Sequence, residues 1–418
     1  MNFTIRKKLR RCRIGVLRLG SLEVQTPSCT LYTRGGAIPH LTSDVLRSIK
    51  NLPPAVHLSL QTIIDQPGTD VISQSNYDGI KQFLGLEGFI SYLSIQDPIQ
   101  ETREGYNEEK SVSVWTPGGR KKIDVNLFIT VLEVFKPDIV QCLCDTTPAS
   151  GQTEKRIRKS VDRTLKFLDK FIEERGRNKS LTSCNMLGVI EGSNSEKERI
   201  RSAKETSQRP VAGFVLEGFS SSTRNWCSLL QKTVDLLLDD KPRFIHGIGS
   251  PEEVVSAVEC GIDIFDSSYP YQVTDRGCAL DINWSRKRLK PELNYSPSTP
   301  EALNSEQKSS ENSLNKVSNS THNKELPDEG TLYEMNLNHP RYSSDFTPLF
   351  STCTCYCCTN HTRAYVHHLL VTKEMLAKVL LMTHNLHEYS QFFARIRSSI
   401  EEDNFDEFKR DFLESQPL

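Results

Sequence analysis

Four cysteines within six consecutive residues form the densest group of potential metal ligands in the sequence. The segment reads Cys353-Thr354-Cys355-Tyr356-Cys357-Cys358, and His384 follows it on a stretch with helical periodicity. Three thiolates and one imidazole make a closed tetrahedral site, and zinc is the ion that such ligands favour. Buried apolar cysteines or disulfide partners are the alternative, but this density before a histidine-bearing helix favours metal. We predict a structural zinc, because four protein ligands leave no coordination position open for catalysis.

The residues by themselves leave two choices open within this site. Cys357 and Cys358 are adjacent, and either could supply the third thiolate, although the usual Cys-x-x-Cys spacing favours Cys358. The imidazoles that compete with His384 for the fourth position are those of His361, His367, His368 and His387.

Length, charge and cysteine content limit the classes of protein that fit. A chain of 418 residues can hold one large α/β barrel with an appendage, or two to three smaller domains. A net charge of −1 excludes a nucleic-acid clamp that spans the whole protein, but it leaves room for a local basic face. Twelve cysteines without a secretory signal indicate a reducing compartment, and we expect a cytoplasmic protein.

The first 19 residues are basic but lack the apolar run of a secretory signal. No acidic residue precedes Glu23, which gives a mitochondrial presequence some weight. Against it, residues 14–20 have the pattern of a strand and turn that belong to the fold. No apolar window is long enough to predict a membrane-spanning helix.

Repeated strand–helix units must position the candidate residues. Strands are predicted at residues 28–32, 56–60, 89–93, 138–143, 186–190, 213–216, 243–246 and 261–266. Helices are predicted at residues 42–49, 78–84, 125–134, 154–175, 251–260 and 374–399. Units of this length predict a parallel sheet with helices outside, and their number favours a closed barrel over an open sheet.

The composition changes between residues 291 and 330, where Ser, Asn, Pro, Glu and Lys dominate and aromatic residues are almost absent. Such a composition predicts a disordered insertion. The expected organisation is therefore a barrel over residues 1–290, the insertion over 291–330, and a zinc-binding subdomain with C-terminal helices over 331–418.

Several short sequence motifs resemble those of a known family. The zinc region reads Cys353-x-Cys355-x-x-Cys358, then Ala364-Tyr365-x-His367-His368-Leu369, then Thr383-His384-Asn385-Leu386. Residues 241–252 and 261–266 also match, and residues 33–35 and 39–42 match more weakly. These words resemble the tRNA-guanine transglycosylases over nearly the whole chain except the insertion. The resemblance selects Cys353, Cys355, Cys358 and His384 as the zinc ligands.

The resemblance implies an irregular (β/α)₈ barrel with an inserted zinc-binding subdomain. Family enzymes exchange a guanine at the anticodon wobble position of certain tRNAs for a deazaguanine base, which in eukaryotes is queuine. An aspartate takes the ribose C1′ while guanine leaves, and the new base then displaces the enzyme. Asp266 matches that nucleophile, at the C-terminal end of a predicted strand, where barrel active sites are built.

The sequence departs from the family pattern at four positions. Leu93 stands near the place of the acid–base aspartate, and leucine transfers no proton. Cys144 replaces the base-recognising aspartate, with Asp145 one place later, and a thiol cannot hold the guanine edge as a carboxylate does. Glu191 replaces a glutamine, and Phe214 is expected to fill the space that a flipped base needs.

This combination resembles the non-catalytic member of a two-subunit enzyme of the family. We therefore expect no catalytic residue, with Asp266 as a relic of the nucleophile or a structural residue. The expected partners are a catalytic queuine tRNA-ribosyltransferase subunit, in a heterodimer, and tRNA through the complex. One structural zinc ion per subunit is expected, and a peripheral association with the mitochondrial outer membrane is left open.

Two other functions stay open. The chain could be a self-sufficient transglycosylase that uses Asp266 with Asp145 or Glu191 as a substitute acid, or a zinc-stabilised protein-binding scaffold without tRNA chemistry. Basic residues on the predicted helix 154–175 could contact phosphates, but charge runs on long helices are usually only solvated surface.

Overall fold

The protein is described by a computed structural model that covers residues 1–100, 105–149, 151–282 and 333–414. The predicted insertion over residues 291–330 lies outside these described residues. Among the helices of the described ranges, none combines the length and apolar character needed to cross a membrane.

Fifteen strands form one closed barrel and three small antiparallel sheets within the described residues. In chain order they are β1 (Asn2–Leu9), β2 (Cys12–Leu19), β3 (Leu22–Thr26), β4 (Ser28–Tyr32), β5 (Ala55–Ser59), β6 (Ile90–Ser94), β7 (Ser111–Thr116), β8 (Gly119–Asp124), β9 (Ile139–Gln141), β10 (Asn185–Ile190), β11 (Gly213–Leu216), β12 (Arg243–Ile245), β13 (Ile264–Asp266), β14 (Cys278–Leu280) and β15 (Glu334–Asn336).

Fourteen α-helices accompany them in the described part of the chain. They are α1 (Ser43–Ser48), α2 (Leu60–Ile63), α3 (Thr69–Gln74), α4 (Ile80–Phe83), α5 (Val125–Phe135), α6 (Glu154–Arg177), α7 (Glu196–Ser207), α8 (Trp226–Val234), α9 (Pro251–Glu259), α10 (Ser268–Asp275), α11 (Tyr356–Asn360), α12 (Arg363–Val371), α13 (Met375–Glu401) and α14 (Phe405–Glu414). Local signals begin several of them: Asp124 and Thr153 cap α5 and α6, and a capping box starts α9 at Ser250.

Eight parallel strands close the barrel in the order β4, β5, β6, β9, β10, β11, β12 and β13, and β13 pairs with β4. The expected (β/α)₈ fold is therefore confirmed. The strand–helix repeat is irregular because the antiparallel hairpin β7–β8 is inserted along the chain between β6 and β9, which pair directly in the barrel. The sequence analysis did not predict that hairpin. The described strands β9 and β13 are also shorter than the apolar runs that predicted them.

An N-terminal sheet of β1, β2 and β3 covers the end of the barrel at which the strands begin, since β3 leads directly into β4. Arg13 of β2 anchors it. Its guanidinium donates to both carboxylate oxygens of Asp263, at 2.7 and 2.5 Å, and both side chains are fully buried. Because both side chains are desolvated, removing either one would leave an uncompensated buried charge.

Helix α13 joins the zinc subdomain to the barrel. Its first turns, with Ala377, Leu380 and Leu381, belong to the core cluster that contains the zinc-site cysteines. Farther along, Leu386 and Phe393 belong to the barrel's core cluster. The helix thus passes from one core to the other close to His384, and the long helix predicted at residues 374–399 is confirmed.

Candidate zinc centre and barrel mouth

The four predicted zinc ligands meet at one buried point. Cys353 lies in a loop, Cys355 caps α11, Cys358 lies within α11, and His384 comes from α13. Their ligand atoms all lie within 4.8 Å of one another. The Cys355 sulfur accepts from the Cys358 N–H at 3.4 Å, and the Cys353 sulfur accepts from the Cys355 N–H at 3.5 Å. Backbone N–H groups that point at sulfur stabilise thiolates, the form in which cysteine binds metal.

The distances have the size that tetrahedral zinc requires. His384 Nδ1 lies 3.6, 3.5 and 3.4 Å from the sulfurs of Cys353, Cys355 and Cys358. Bonds of about 2.3 Å to sulfur and about 2.05 Å to nitrogen at a tetrahedral angle separate the ligand atoms by about 3.6 Å. The three nitrogen–sulfur distances therefore match those expected around a zinc ion.

A hydrogen bond on the far side of His384 presents the correct nitrogen to the metal. Nε2 lies 2.9 Å from the carbonyl oxygen of Leu280 in β14, so Nε2 carries the proton and Nδ1 keeps its lone pair. The neighbouring Asn385 holds β14 in place. Its Oδ1 accepts from the Leu280 N–H at 2.7 Å, and its Nδ2 donates to Thr274 and to the Cys278 carbonyl.

The structure places the competing side chains around this site rather than in the four-ligand set. Cys357 is buried beside it, and burial raises the pKa of its thiol. His367 Nδ1 bonds the carbonyl of Leu337 at 2.8 Å, and His361 stacks on Tyr365. His387 belongs to a second group with Cys353 and Glu388, which shares only Cys353 with the predicted ligand set.

Asp266 is the last residue of β13, as predicted, and it is buried at the barrel mouth. One carboxylate oxygen accepts from the Gly247 N–H at 2.9 Å and the other from the Ser268 N–H at 2.8 Å. Both oxygens are therefore held by backbone groups. This arrangement fixes the orientation of the carboxylate.

A second carboxyl group, which the sequence did not suggest, lies near Asp266. Asp97 follows β6 and accepts from the Tyr32 hydroxyl, with its oxygens 2.9 and 3.1 Å away. Burial raises the pKa of Asp97, and the charge of Asp266 acts in the same direction. The available signal was its place just after a barrel strand, where functional side chains of this fold are found.

A chain of polar and aromatic side chains occupies the barrel interior. Tyr92 Oη lies 2.9 Å from Nε2 of His246, whose Nδ1 lies 2.8 Å from the Glu217 carboxylate. Gln141 donates to the same carboxylate at 2.7 Å. Burial lowers the pKa of His246, but the adjacent Glu217 charge outweighs burial and leaves that pKa above its ordinary value. Tyr92 and Gln141 belong to β6 and β9, Glu217 and His246 directly follow β11 and β12, and the four residues carry no common motif.

Comparison with known proteins then places the chain. The profile of the family described as queuine tRNA-ribosyltransferase matches residues 9–418. A relative from Xenopus tropicalis named queuine tRNA-ribosyltransferase accessory subunit 2 is 40% identical over 411 residues, which are 96% of either chain. The relatives of that name from Homo sapiens and Danio rerio are each 37% identical, and the alignments cover 98% and 99% of both chains.

The chain belongs to the queuine tRNA-ribosyltransferase family. The family that the sequence motifs predicted is therefore confirmed. The buried Cys353, Cys355, Cys358 and His384 cluster could hold a metal ion, and it is compatible with the structural zinc of this family.

Strand register shows which side chains face the interior of this family barrel. Tyr92 is level with His57 and Ile139, and Phe244 is level with Val215. Since side chains alternate along a strand, Leu93 and Phe214 lie on the opposite face from the polar interior chain. Phe214 was expected to fill the base pocket, but Tyr92, His246 and Glu217 occupy the interior instead. The assignment of Leu93 to the acid–base position stays a prediction.

The remaining expected pocket residues do come together. Cys144 is fully buried, and burial together with the nearby charges of Glu191 and Glu217 raises the pKa of its thiol. Burial likewise raises the pKa of Glu191 to about 8. The Asp145 charge also acts on Cys144 and Glu191, but its carboxylate is bound by α6, since Arg156 and Arg163 donate to it at 2.6 to 2.9 Å. Asp145 therefore forms a buried ion pair with two arginines of α6.

Proposed function

We propose that this chain is the non-catalytic subunit of a queuine tRNA-ribosyltransferase complex, which exchanges guanine for queuine at the wobble position of tRNA. The observation that carries the proposal is the barrel interior. The family resemblance assigns Cys144, whose thiol is buried, to the place of the carboxylate that recognises guanine, and Tyr92, His246 and Glu217 form a hydrogen-bonded chain in the interior. A tRNA base would have to displace this hydrogen-bonded chain.

The names of the relatives support a partner subunit. The frog, human and zebrafish proteins are named accessory subunits of queuine tRNA-ribosyltransferase, and such a subunit requires a catalytic one. We infer a cytoplasmic heterodimer that holds tRNA jointly and contains one structural zinc ion in this chain. A peripheral contact with the mitochondrial outer membrane belongs to the same hypothesis and is tested by fractionating the complex.

The zinc subdomain offers a surface for that partner. Six of the eleven exposed large apolar side chains among the described residues lie between residues 346 and 376. They are Phe346, Tyr356, Tyr365, Val371, Met375 and Leu376, here named the zinc-subdomain apolar surface. Met375 is 86% exposed and Phe346 is 75% exposed. We propose that these side chains together contact the catalytic subunit, because contiguous exposed apolar surface marks protein interfaces.

Reconstitution tests the proposed function. The purified full chain should insert no labelled guanine or queuine into unmodified tRNA. Its addition to a catalytic family subunit should raise exchange, and native mass spectrometry of the mixture should show one copy of each. Robust exchange by this chain alone, or no effect on the catalytic subunit, would contradict the proposal.

The second candidate is a self-sufficient transglycosylase, and the Asp266 and Asp97 carboxyl groups at one barrel mouth favour it. It predicts a covalent complex between this chain and tRNA, trapped with a base analogue and lost in Asp266→Asn. The non-catalytic role predicts no such complex, and it predicts that Asp266→Asn leaves exchange by the heterodimer unchanged.

A further inference from the structure

A second group of metal-binding side chains adjoins the four-ligand zinc site. It consists of Cys353, His387 and Glu388, whose ligand atoms all lie within 4.8 Å of one another. We name it the adjoining triad. Cys353 is the single residue that it shares with the four-ligand set. A thiolate, an imidazole and a carboxylate are all zinc ligands, and a site with three protein ligands keeps a position open for water.

Helix α13 presents residues of both groups on one face. His387 and Glu388 follow His384 by three and four residues, so the three side chains project from the same side of the helix. Cys353, in the loop before α11, approaches this side, because its sulfur lies 3.6 Å from His384 Nδ1. One sulfur is therefore within reach of both groups.

The two helical members of the triad are buried without a protein partner. His387 is 7% exposed and Glu388 is 8% exposed. Within the described part of the chain, neither side chain makes a hydrogen bond or an ion pair. A buried carboxylate without a partner is costly, because the protein interior solvates charge poorly. A cation between Glu388, His387 and the Cys353 sulfur would supply the missing partner.

The charge of the neighbouring site also favours a cation. When the four-ligand site holds Zn²⁺ it is formally anionic, because the three thiolates carry more charge than the ion. The Glu388 carboxylate adds a further negative charge beside it, and a second divalent cation would balance both. A thiolate that binds one ion retains lone pairs with which it can bind another, so the Cys353 sulfur can bridge the two sites.

We propose that the adjoining triad binds a second divalent metal ion, which shares the Cys353 sulfur with the structural zinc and completes its coordination with water. The mixture of sulfur, nitrogen and oxygen ligands selects zinc or a similar borderline ion over Mg²⁺ and Ca²⁺. Tetrahedral ligand atoms around zinc are about 3.5 Å apart, so side-chain movements of roughly 1 Å close the triad around an ion. The inference does not rest on the proposed function, since metal binding is a property of this chain alone.

Zinc titration of the full chain tests the proposal. After a brief wash with a mild chelator, the zinc-loaded chain should retain one equivalent in the closed four-ligand site. Added Zn²⁺ should then supply a second equivalent, which elemental analysis measures. Glu388→Gln, which preserves side-chain size, and His387→Ala should each bind one equivalent fewer than the wild type at the same free zinc concentration. His368→Ala and Glu374→Gln are the matched controls, because both residues are exposed in the same subdomain.

Cobalt gives a second readout that does not depend on the variants. Co²⁺ added to the washed chain, which retains its structural zinc, should produce the sulfur-to-cobalt charge-transfer absorption of a Cys353 ligand. Glu388→Gln should weaken this absorption. If a triad variant unfolds at a lower temperature than the wild type, the wild-type zinc content and cobalt spectrum still decide the question.

A wild-type chain that saturates at one zinc equivalent and gives no sulfur-to-cobalt absorption would overturn the inference. A second equivalent that persists in both triad variants, or that is lost equally in the controls, would do so as well, because it would identify an adventitious ion only. Loss of both equivalents in triad variants of wild-type thermal stability would show that the residues serve a single site.

Discussion

At the scale of single residues, the zinc site depends on which atom of each side chain is presented. His384 can bind metal through Nδ1 because its Nε2 donates to the Leu280 carbonyl, and the two thiolates at the start of α11 accept backbone N–H groups. Cys357 lies between two of the proposed ligands in sequence, but its sulfur is outside the four-atom group. One residue of spacing therefore separates a ligand from a core side chain.

Replacing a ligand should remove the metal, whereas replacing its neighbour should not. We expect Cys355→Ser to lose zinc and to unfold at a lower temperature, because structural zinc contributes on the order of 10 kcal/mol in small zinc domains. Cys357→Ala should keep the zinc content of the wild type. Elemental analysis and thermal unfolding of the same samples measure both effects, and zinc loss in Cys357→Ala alone would reverse the ligand assignment.

Glu191 should make stability depend on pH. Burial raises the pKa of Glu191 from an ordinary value of 4.5 to about 8, so the folded state holds a proton that the unfolded chain has released between those values. The free energy of unfolding should therefore fall as pH rises through this window, by up to about 1.4 kcal/mol per pH unit from this group.

Glu191→Gln should flatten that part of the pH dependence, so the variant gains stability relative to the wild type at pH 8 but not at pH 5. Urea unfolding across this pH range gives the comparison. Glu87→Gln, at an exposed position, is the matched control and should retain the wild-type slope. An unchanged slope in Glu191→Gln would mean that Glu191 is ionised in the folded protein.

At the scale of elements, α13 connects three parts of the molecule. It supplies the zinc-binding imidazole, packs on the N-terminal sheet, and contributes apolar side chains to the barrel core. Its connection to β14 is polar and runs through Asn385, which makes three buried hydrogen bonds. The zinc site and the α13–β14 contact are therefore adjacent parts of one joint.

Asn385→Leu should weaken this joint. It leaves the Leu280 N–H and the Cys278 carbonyl without their partner, which costs about 3 kcal/mol or more of unfolding free energy because buried polar groups are expensive to leave unpaired. Zinc should also be lost faster to a chelator, since β14 orients His384. Asn360→Ala is the control, because Asn360 is exposed and bonds only within α11.

At the scale of the whole molecule, one closed barrel carries two different ends. The end at which the strands begin is covered by the N-terminal sheet, and the opposite end holds Asp266, Asp97 and a cavity lined by Arg34 and Gln61. The zinc subdomain has its own small core and an apolar surface beside it. This division leaves the zinc-subdomain apolar surface for the partner protein that we propose.

A charge on the zinc-subdomain apolar surface should weaken assembly with the catalytic subunit. Met375→Glu should lower affinity at least about tenfold, because burying one such side chain is worth about 1.5 to 3 kcal/mol. The variant should retain its zinc and its thermal stability, since Met375 is largely exposed. Leu238→Glu, at an exposed apolar position outside this surface, should leave the affinity unchanged in sedimentation analysis, and equal weakening by both variants would exclude the proposed surface.

The sequence by itself determined those features that depend on neighbours along the chain. Helix and strand periodicity predicted a closed parallel barrel, the cysteine cluster predicted a zinc site whose ligands the family resemblance selected, and the same resemblance singled out Asp266 at a strand end. Only the tertiary structure decided the interior, because strand register and barrel closure bring Tyr92, His246 and Glu217 together from distant segments and turn Phe214 to the other face. The cavity lined by Arg34, Gln61 and Trp115 arises in the same way, since these residues meet only where parallel strands end side by side and a hairpin folds over them.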